Sequence, residues 1–220
     1  MTSCEMQLNI CTLYIVNCTL QKGVCVLKFA LGTANPGKVR EMCDILCGLG
    51  FEVATRDELG IDIDIEETGS TFLENATLKA EAICKASGLP AIADDSGLCI
   101  DALGGAPGVY SSSFGGEGLS ELERCGFLLN KMANMEHRGA KFVSTIVCVF
   151  PDGKVLSAEG ECRGEILKVP RGHGGFGYDP VFIAEGMDKA MAELTPEMKN
   201  AISHRGKALA KFSELIIQLS

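Results

Sequence analysis

The stretch VLKFALGTANPGKVREMCDILCGLG, residues 26–50, holds an apolar run, a short polar joint and a helical pattern, in that order. The run VLKFALGT reads as a strand. Behind it Val39, Met42, Cys43 and Leu46 recur at helical spacing, and Asn35 followed by Pro36 marks where the helix starts. A strand feeding straight into a helix is the repeating unit of α/β proteins. Thr71 and Glu74 then form a capping box ahead of Phe72, Ala76, Ala80 and Ile83 on one face, and Gly88 with Pro90 closes this second helix. LPAIADD, residues 89–95, follows as a buried strand with its charges at the end. Ser120 with Glu123 opens a third helix, and FVSTIVCVF, the turn PDGK and VLSAEGECRGEIL make a long β-hairpin closed at Asp152-Gly153. A last helix starts near Thr195-Pro196 and runs through Leu209, Phe212 and Ile216. The alternation predicts an α/β fold with a mixed sheet, as one body with a cleft between lobes.

Composition narrows the function. At 220 residues and 46% hydrophobic, the chain is long enough for one globular unit or a tightly joined pair of lobes. Twenty Lys and Arg against 29 acidic residues give a net charge of −9, which argues against a nucleic-acid or anionic-membrane face. An anionic ligand would then need local groups or a metal. The 11 cysteines contain no CxxC pair, and with His137, His173 and His204 the only histidines, the pattern is that of free thiols in a reducing cytoplasm. Residues 1–26 stand apart. Their apolar run is interrupted by Asn, Thr, Gln and Lys, and it lacks the basic start of a secretion signal. We read 1–26 as an N-terminal extension outside the fold and 27–220 as a single domain.

Four segments carry chemistry. In TANPGK the residues Thr33, Ala34, Asn35, Pro36, Gly37 and Lys38 join a strand end to a helix start, where free N–H groups, the helix dipole and an ammonium would converge on a phosphate. A capped helix with a surface lysine is the competing reading, and the spacing is not that of a Walker loop. Asp94 and Asp95 at a strand rim would repel unless a cation sat with them, and hard oxygens are what Mg²⁺ takes; Glu66 and Glu67 offer more. A lone aspartate there would simply cap a turn. GHGGFGYDPVF, residues 172–182, has glycines that let backbone approach a ligand while Phe176 and Tyr178 offer faces for a base, unless those rings fill the core. In KNAISHRGKAL, Lys199, Ser203, His204 and Arg205 lie within or beside a helix, and Arg suits planar recognition of oxygen acceptors.

Together TANPGK, EETGSTFLENATLKAEA, AIADDSGLCIDALGGAPGVYSS, GHGGFGYDPVF and ELTPEMKNAISHRGKAL resemble, in order, the motifs of the noncanonical purine nucleoside triphosphate pyrophosphatases, the dITP/XTP or inosine triphosphate pyrophosphatases. The resemblance covers nearly everything from about residue 27 onward. It implies an elongated two-lobed α/β fold with a central mixed sheet flanked by helices, a cytoplasmic homodimer, and Mg²⁺-dependent hydrolysis of ITP, dITP or XTP to the monophosphate and pyrophosphate. It places the phosphate segment on Thr33 to Lys38, and the proton acceptor and metal ligand on Asp95. The second metal ligand falls on Glu66 or Glu67. Ser96, Phe176, Gly177, Tyr178, Asp179, Lys199, His204 and Arg205 fall on substrate contacts. In the mechanism this implies, Asp95, or Asp94 beside it, activates water while Lys38 offsets charge on the departing pyrophosphate. A donor on Arg205 would favour bases with a 6-oxygen over adenine. Two alternatives are a septum-formation-type pyrophosphatase for pyrimidine or modified nucleotides, and a non-catalytic nucleotide sensor; the SHR segment disfavours the first, and the retained Asp94 and Asp95 disfavour the second.

Overall fold

The computed structural model describes residues 18–21 and 24–218. Strands are β1 (Cys18–Gln21), β2 (Val24–Leu31), β3 (Glu52–Ala54), β4 (Ala91–Ile100), β5 (Gly139–Val149), β6 (Val155–Ile166) and β7 (Phe182–Ala184). Helices are α1 (Pro36–Gly48), α2 (Phe72–Ser87), α3 (Glu121–Lys131), α4 (Pro196–Ile202) and α5 (His204–Gln218). The sheet runs β1-β2-β4-β5-β6-β7, with β3 also beside β2. It is mixed: β2 pairs parallel with β3 and β4, whereas β1–β2 and β6–β7 are antiparallel. β1 and the start of β2 fall inside the stretch read as an extension; the rest of that reading, residues 1–17 and 22–23, lies outside the described residues.

Two compact units are separable. The first comprises the described residues up to Asp94, Thr145–Ala158 and those from Ala208 onward; the second is Asp95–Ser144 with Glu159–Lys207. In the first, strand alternation sorts the sheet into two faces. Phe29, Leu31, Ile92, Ile146 and Cys148 pack with Met42 and Leu46 of α1 and with Leu209, Phe212 and Ile216 of α5. The other face, Ala30, Ala91, Ala93, Val147 and Val149, meets Ala76, Ala80, Ile83 and Cys84 of α2. Alanines on both sides let α2 lie close to the sheet. Extended residues 61–66 continue this cover, since Ile61, Ile63 and Ile65 pack on the α2 cluster while Asp62, Asp64 and Glu66 are exposed.

The second unit has its own core, in which Leu98 and Ile100 of β4 meet Cys125, Leu128 and Met132 along α3, with Phe142, Tyr178 and Phe182. This core corrects one expectation. The strand LPAIADD does not end at its charges: β4 continues to Ile100 because Leu98 and Ile100 have a core to enter, so Asp94 and Asp95 stand in mid-strand. A second correction concerns the last helix. It is broken at Ser203, whose backbone is extended (φ −66°, ψ 156°), and whose hydroxyl accepts the Gly206 N–H at 3.0 Å to start α5. Cys43, Cys47, Cys84, Cys99, Cys125, Cys148 and Cys162 carry free thiols. Burial pushes the Cys148 thiol well up, and the Cys125 thiol up to about 11. Among the described residues no helix is long and apolar enough to cross a membrane.

The capping box of α2 is formed as read. The Thr71 hydroxyl accepts the Glu74 N–H at 3.1 Å, and the Glu74 carboxylate accepts from Ser70 and from the Thr71 N–H. Thr71→Ala should cost about 1 kcal/mol in chemical unfolding. The Ser70 hydroxyl and N–H hold the Glu74 carboxyl below its ordinary value of 4.5, so its contribution is complete above that pH and is lost as pH falls through the lowered folded value. Unfolding curves of Glu74→Ala and the parent should therefore differ at neutral pH and converge in acid.

Candidate active site

In the first unit β2 and β4 run side by side, with Leu31 opposite Ile92 and the Gly32 N–H bonded to the Ile92 carbonyl at 2.7 Å. Past this point β2 leaves the sheet as the loop Thr33–Asn35, and β4 goes on into Asp94 without it. Loops at the carboxyl ends of parallel strands are the usual place for ligands in α/β proteins. Thr33 is buried, and its hydroxyl accepts the Asn35 N–H at 3.2 Å; Ala34, Asn35 and Pro36 are exposed. The Asn35 side chain caps α1 by accepting the N–H groups of Gly37 (2.9 Å) and Lys38 (3.1 Å). Those two donors are thus engaged, where the sequence reading had them free.

The Lys38 ammonium is paired too, at 2.7 Å from the Asp94 carboxylate. Asp94 is 0% exposed, so this pair is what allows a carboxylate inside the sheet. Successive strand residues face opposite ways, so Asp94 shares the face of Ile92, toward α1, and Asp95 shares the parity of Ala91 and Ala93. The expected mutual repulsion of two adjacent carboxylates does not arise: they are on different faces. Nearby, Lys79 of α2 is a buried lysine whose ammonium lies 3.1 Å from Glu67. Glu66 is exposed.

The second unit gathers the remaining residues. Asp95 is buried, and the next residue, Ser96, accepts a hydrogen bond on Oγ from Arg205 Nη2 at 2.9 Å. The Arg205 guanidinium is 1% exposed and lies 5.6 Å from the centroid of the Phe176 ring, while the Lys199 ammonium sits 4.7 Å from the same centroid. Lys199 is ion-paired with buried Asp179, whose Oδ2 also accepts the Phe176 N–H at 2.8 Å. Two cations therefore border one half-buried aromatic ring, and a carboxylate fixes both the ring's backbone and one of the cations. Gly175 makes the turn possible: its φ is +71°, and a Cβ there would lie 2.0 Å from Asp179 Oδ2.

Gly177 accepts a 3.4 Å hydrogen bond from Cys125 Sγ, and Tyr178 points into the core with its hydroxyl donating to the Ser111 carbonyl at 2.8 Å. Tyr178 is thus a core ring, and Phe176 is the one with surface to offer. His204 stacks on Phe142 at 4.8 Å and 13°, which makes its ring part of the packing. The close approach that starts α5 requires Gly206, because a Cβ there would fall 1.8 Å from the Asn200 carbonyl.

Sequence reasoning missed Lys79, Ser111 and Cys125. For Lys79 a signal was present, since it falls at helical spacing with Ala76 and Ile83, a lysine on an otherwise apolar face. Ser111 and Cys125 act through contacts 67 and 52 residues away in sequence, for which local pattern has no signature.

The Ham1 family model matches residues 29–215. The chain is 50% identical over 185 residues to a dITP/XTP pyrophosphatase of Deinococcus radiodurans, covering 84% of this chain and 90% of that protein. Among solved structures, the Ham1 protein of Staphylococcus aureus matches with a TM-score of 0.78 and 40% identity, and that of Coxiella burnetii with 0.78 and 42%; each covers 88% of this chain and 100% of the other.

The buried pair makes a direct prediction. Asp94→Asn leaves the Lys38 ammonium without its counter-charge and should lower unfolding free energy by about 3 kcal/mol, and adding Lys38→Met should restore part of the loss. Denaturant titration of the three proteins checks it. With the motifs in order, the α/β fold and this breadth of identity in agreement, the chain belongs to the Ham1 family.

Proposed function

We propose that this protein hydrolyses purine nucleoside triphosphates carrying an oxygen at position 6, such as ITP, dITP and XTP, to the monophosphate and pyrophosphate. The observation that carries the reading is the half-buried Phe176 ring bordered by Lys199 and Arg205. An aromatic face takes a base by stacking, and buried cations beside it favour a base edge that presents an oxygen over one that presents an amino group. The name of the 50%-identical relative, a dITP/XTP pyrophosphatase, supports the same substrate class.

The donor chemistry fits Mg²⁺. Among the described residues no three His, Cys, Asp or Glu side chains form a closed metal cage, and Mg²⁺ does not need one, because one or two carboxylates suffice when phosphate oxygens and water complete its shell. Asp95 is the carboxylate we assign to it, with Glu66 or Glu67 as the second, as the family resemblance implies. When bound, the ion would polarise the phosphoryl group and offset its charge. Asp95 accepts the proton of the water that attacks the α-phosphorus, as the bond to the bridging oxygen breaks and pyrophosphate departs. Asp94 is not a second base, because its carboxylate is committed to holding Lys38. One of the three ammonium donors of Lys38 serves that pair, and the others suit a phosphate oxygen. We also take the working form to be a homodimer in the cytoplasm, as the family resemblance implies.

Pyrophosphate release with Mg²⁺ should be much faster from ITP and XTP than from ATP and GTP. Asp95→Asn should lower turnover by orders of magnitude with unfolding curves unchanged in slope, and near-normal turnover would remove Asp95 from the chemistry. Arg205→Ala should narrow the ratio of kcat/KM between ITP and ATP; an unchanged ratio would take Arg205 out of base recognition. No turnover of any purine triphosphate would leave the sensor and pyrimidine readings.

A further inference from the structure

We propose that Ser111 is a positioning residue that locks the loop Phe176–Asp179 to the strand bearing Asp95 and Ser96, so that base stacking and the catalytic carboxylate share one anchor. Ser111 follows the single turn Gly108–Tyr110 and is buried. Its hydroxyl accepts the Leu98 N–H at 2.9 Å and donates to the Gly108 carbonyl at 2.6 Å, while its own carbonyl accepts the Tyr178 hydroxyl at 2.8 Å. Leu98 lies three residues beyond Asp95 on β4, and Tyr178 lies two beyond Phe176 in the glycine-rich loop. One serine therefore joins three segments that are distant in sequence.

The chemistry suits a rigid joint. A hydroxyl has one donor and two acceptor sites, and here the donor and one acceptor are matched to main-chain groups whose burial makes an unmade bond costly. Tyr178 cannot serve the site by ionising, because burial raises its hydroxyl far from neutral pH; the hydroxyl is a fixed donor. Its ring is held in the core of the second unit, and Cys125 Sγ supports the adjacent Gly177 carbonyl. The loop that presents Phe176 is thus held from beneath by Tyr178 and Cys125, and the Tyr178 hydroxyl links it to β4 through Ser111.

The inference rests on the proposed reading of the site, and its test has an arm independent of it. In Ser111→Ala, amide hydrogen exchange should speed up in peptides covering residues 95–100 and 174–182 together, in the protein without nucleotide. Unchanged exchange in the second peptide would overturn the proposal whatever the activity. With ITP and Mg²⁺, Ser111→Ala should raise KM about tenfold and also lower kcat, and should lower the preference for ITP over ATP. Ser111→Thr, which keeps the hydroxyl, should recover most of the KM. Tyr178→Phe, the milder change, should reproduce the rise in KM, and the double variant should fall short of the product of the single effects. A lower Tm with KM unchanged in both single variants would make Ser111 a packing residue only. Should the parent protein turn over no purine triphosphate, the functional reading fails, and the exchange experiment still decides the positioning role.

Discussion

A fully buried carboxylate in the middle of a strand governs this structure. Asp94 is paired in β4 by Lys38, which reaches it from the first turn of α1, and that pairing ties the start of α1 to the end of β2. The Asn35 cap and Pro36 set the helix entry, and the Gly32 N–H holds the departing chain against Ile92. The phosphate-type loop and the acidic strand are thereby one construction. Strand alternation then puts Asp95 on the opposite face of β4 from Asp94.

Much of the architecture was legible because it depends on local signals. The caps at Asn35, Thr71 and Ser120, the left-handed end of α2 at Gly88 and the Asp152-Gly153 hairpin are each decided within a few residues. What escaped depends on distant partners. The aspartates read as the end of a strand because a buried strand does not ordinarily carry two charges, and only the second core, with Leu98 and Ile100 in it, explains why the strand continues. The break at Ser203 is hidden for a similar reason: the apolar spacing runs through it, and the cause is a hydroxyl bond and a glycine contact.

The candidate site divided in the same way. Residue types and order single out segments, yet not the state of each group. Tyr178 and Phe176 look alike in sequence, and burial separates a core ring from a half-buried one. Glu66 and Glu67 are adjacent carboxylates that an ion pair to a buried lysine tells apart. In a chain of net charge −9, Lys79, Lys199 and Arg205 are nevertheless buried, where a low dielectric strengthens the pairing of each.

The opposite facing of Asp94 and Asp95 is set by parity, and parity has an evolutionary consequence. Substitutions along β4 alter one contact at a time, but inserting or deleting a single residue between Ile92 and Asp95 would exchange the faces of everything beyond it. Asp94 and Asp95 would trade faces, and Leu98 and Ile100 would leave their core in the same event. Drift in this family should therefore spread through changes of side chain in this strand and through changes of length only in the loops that flank it.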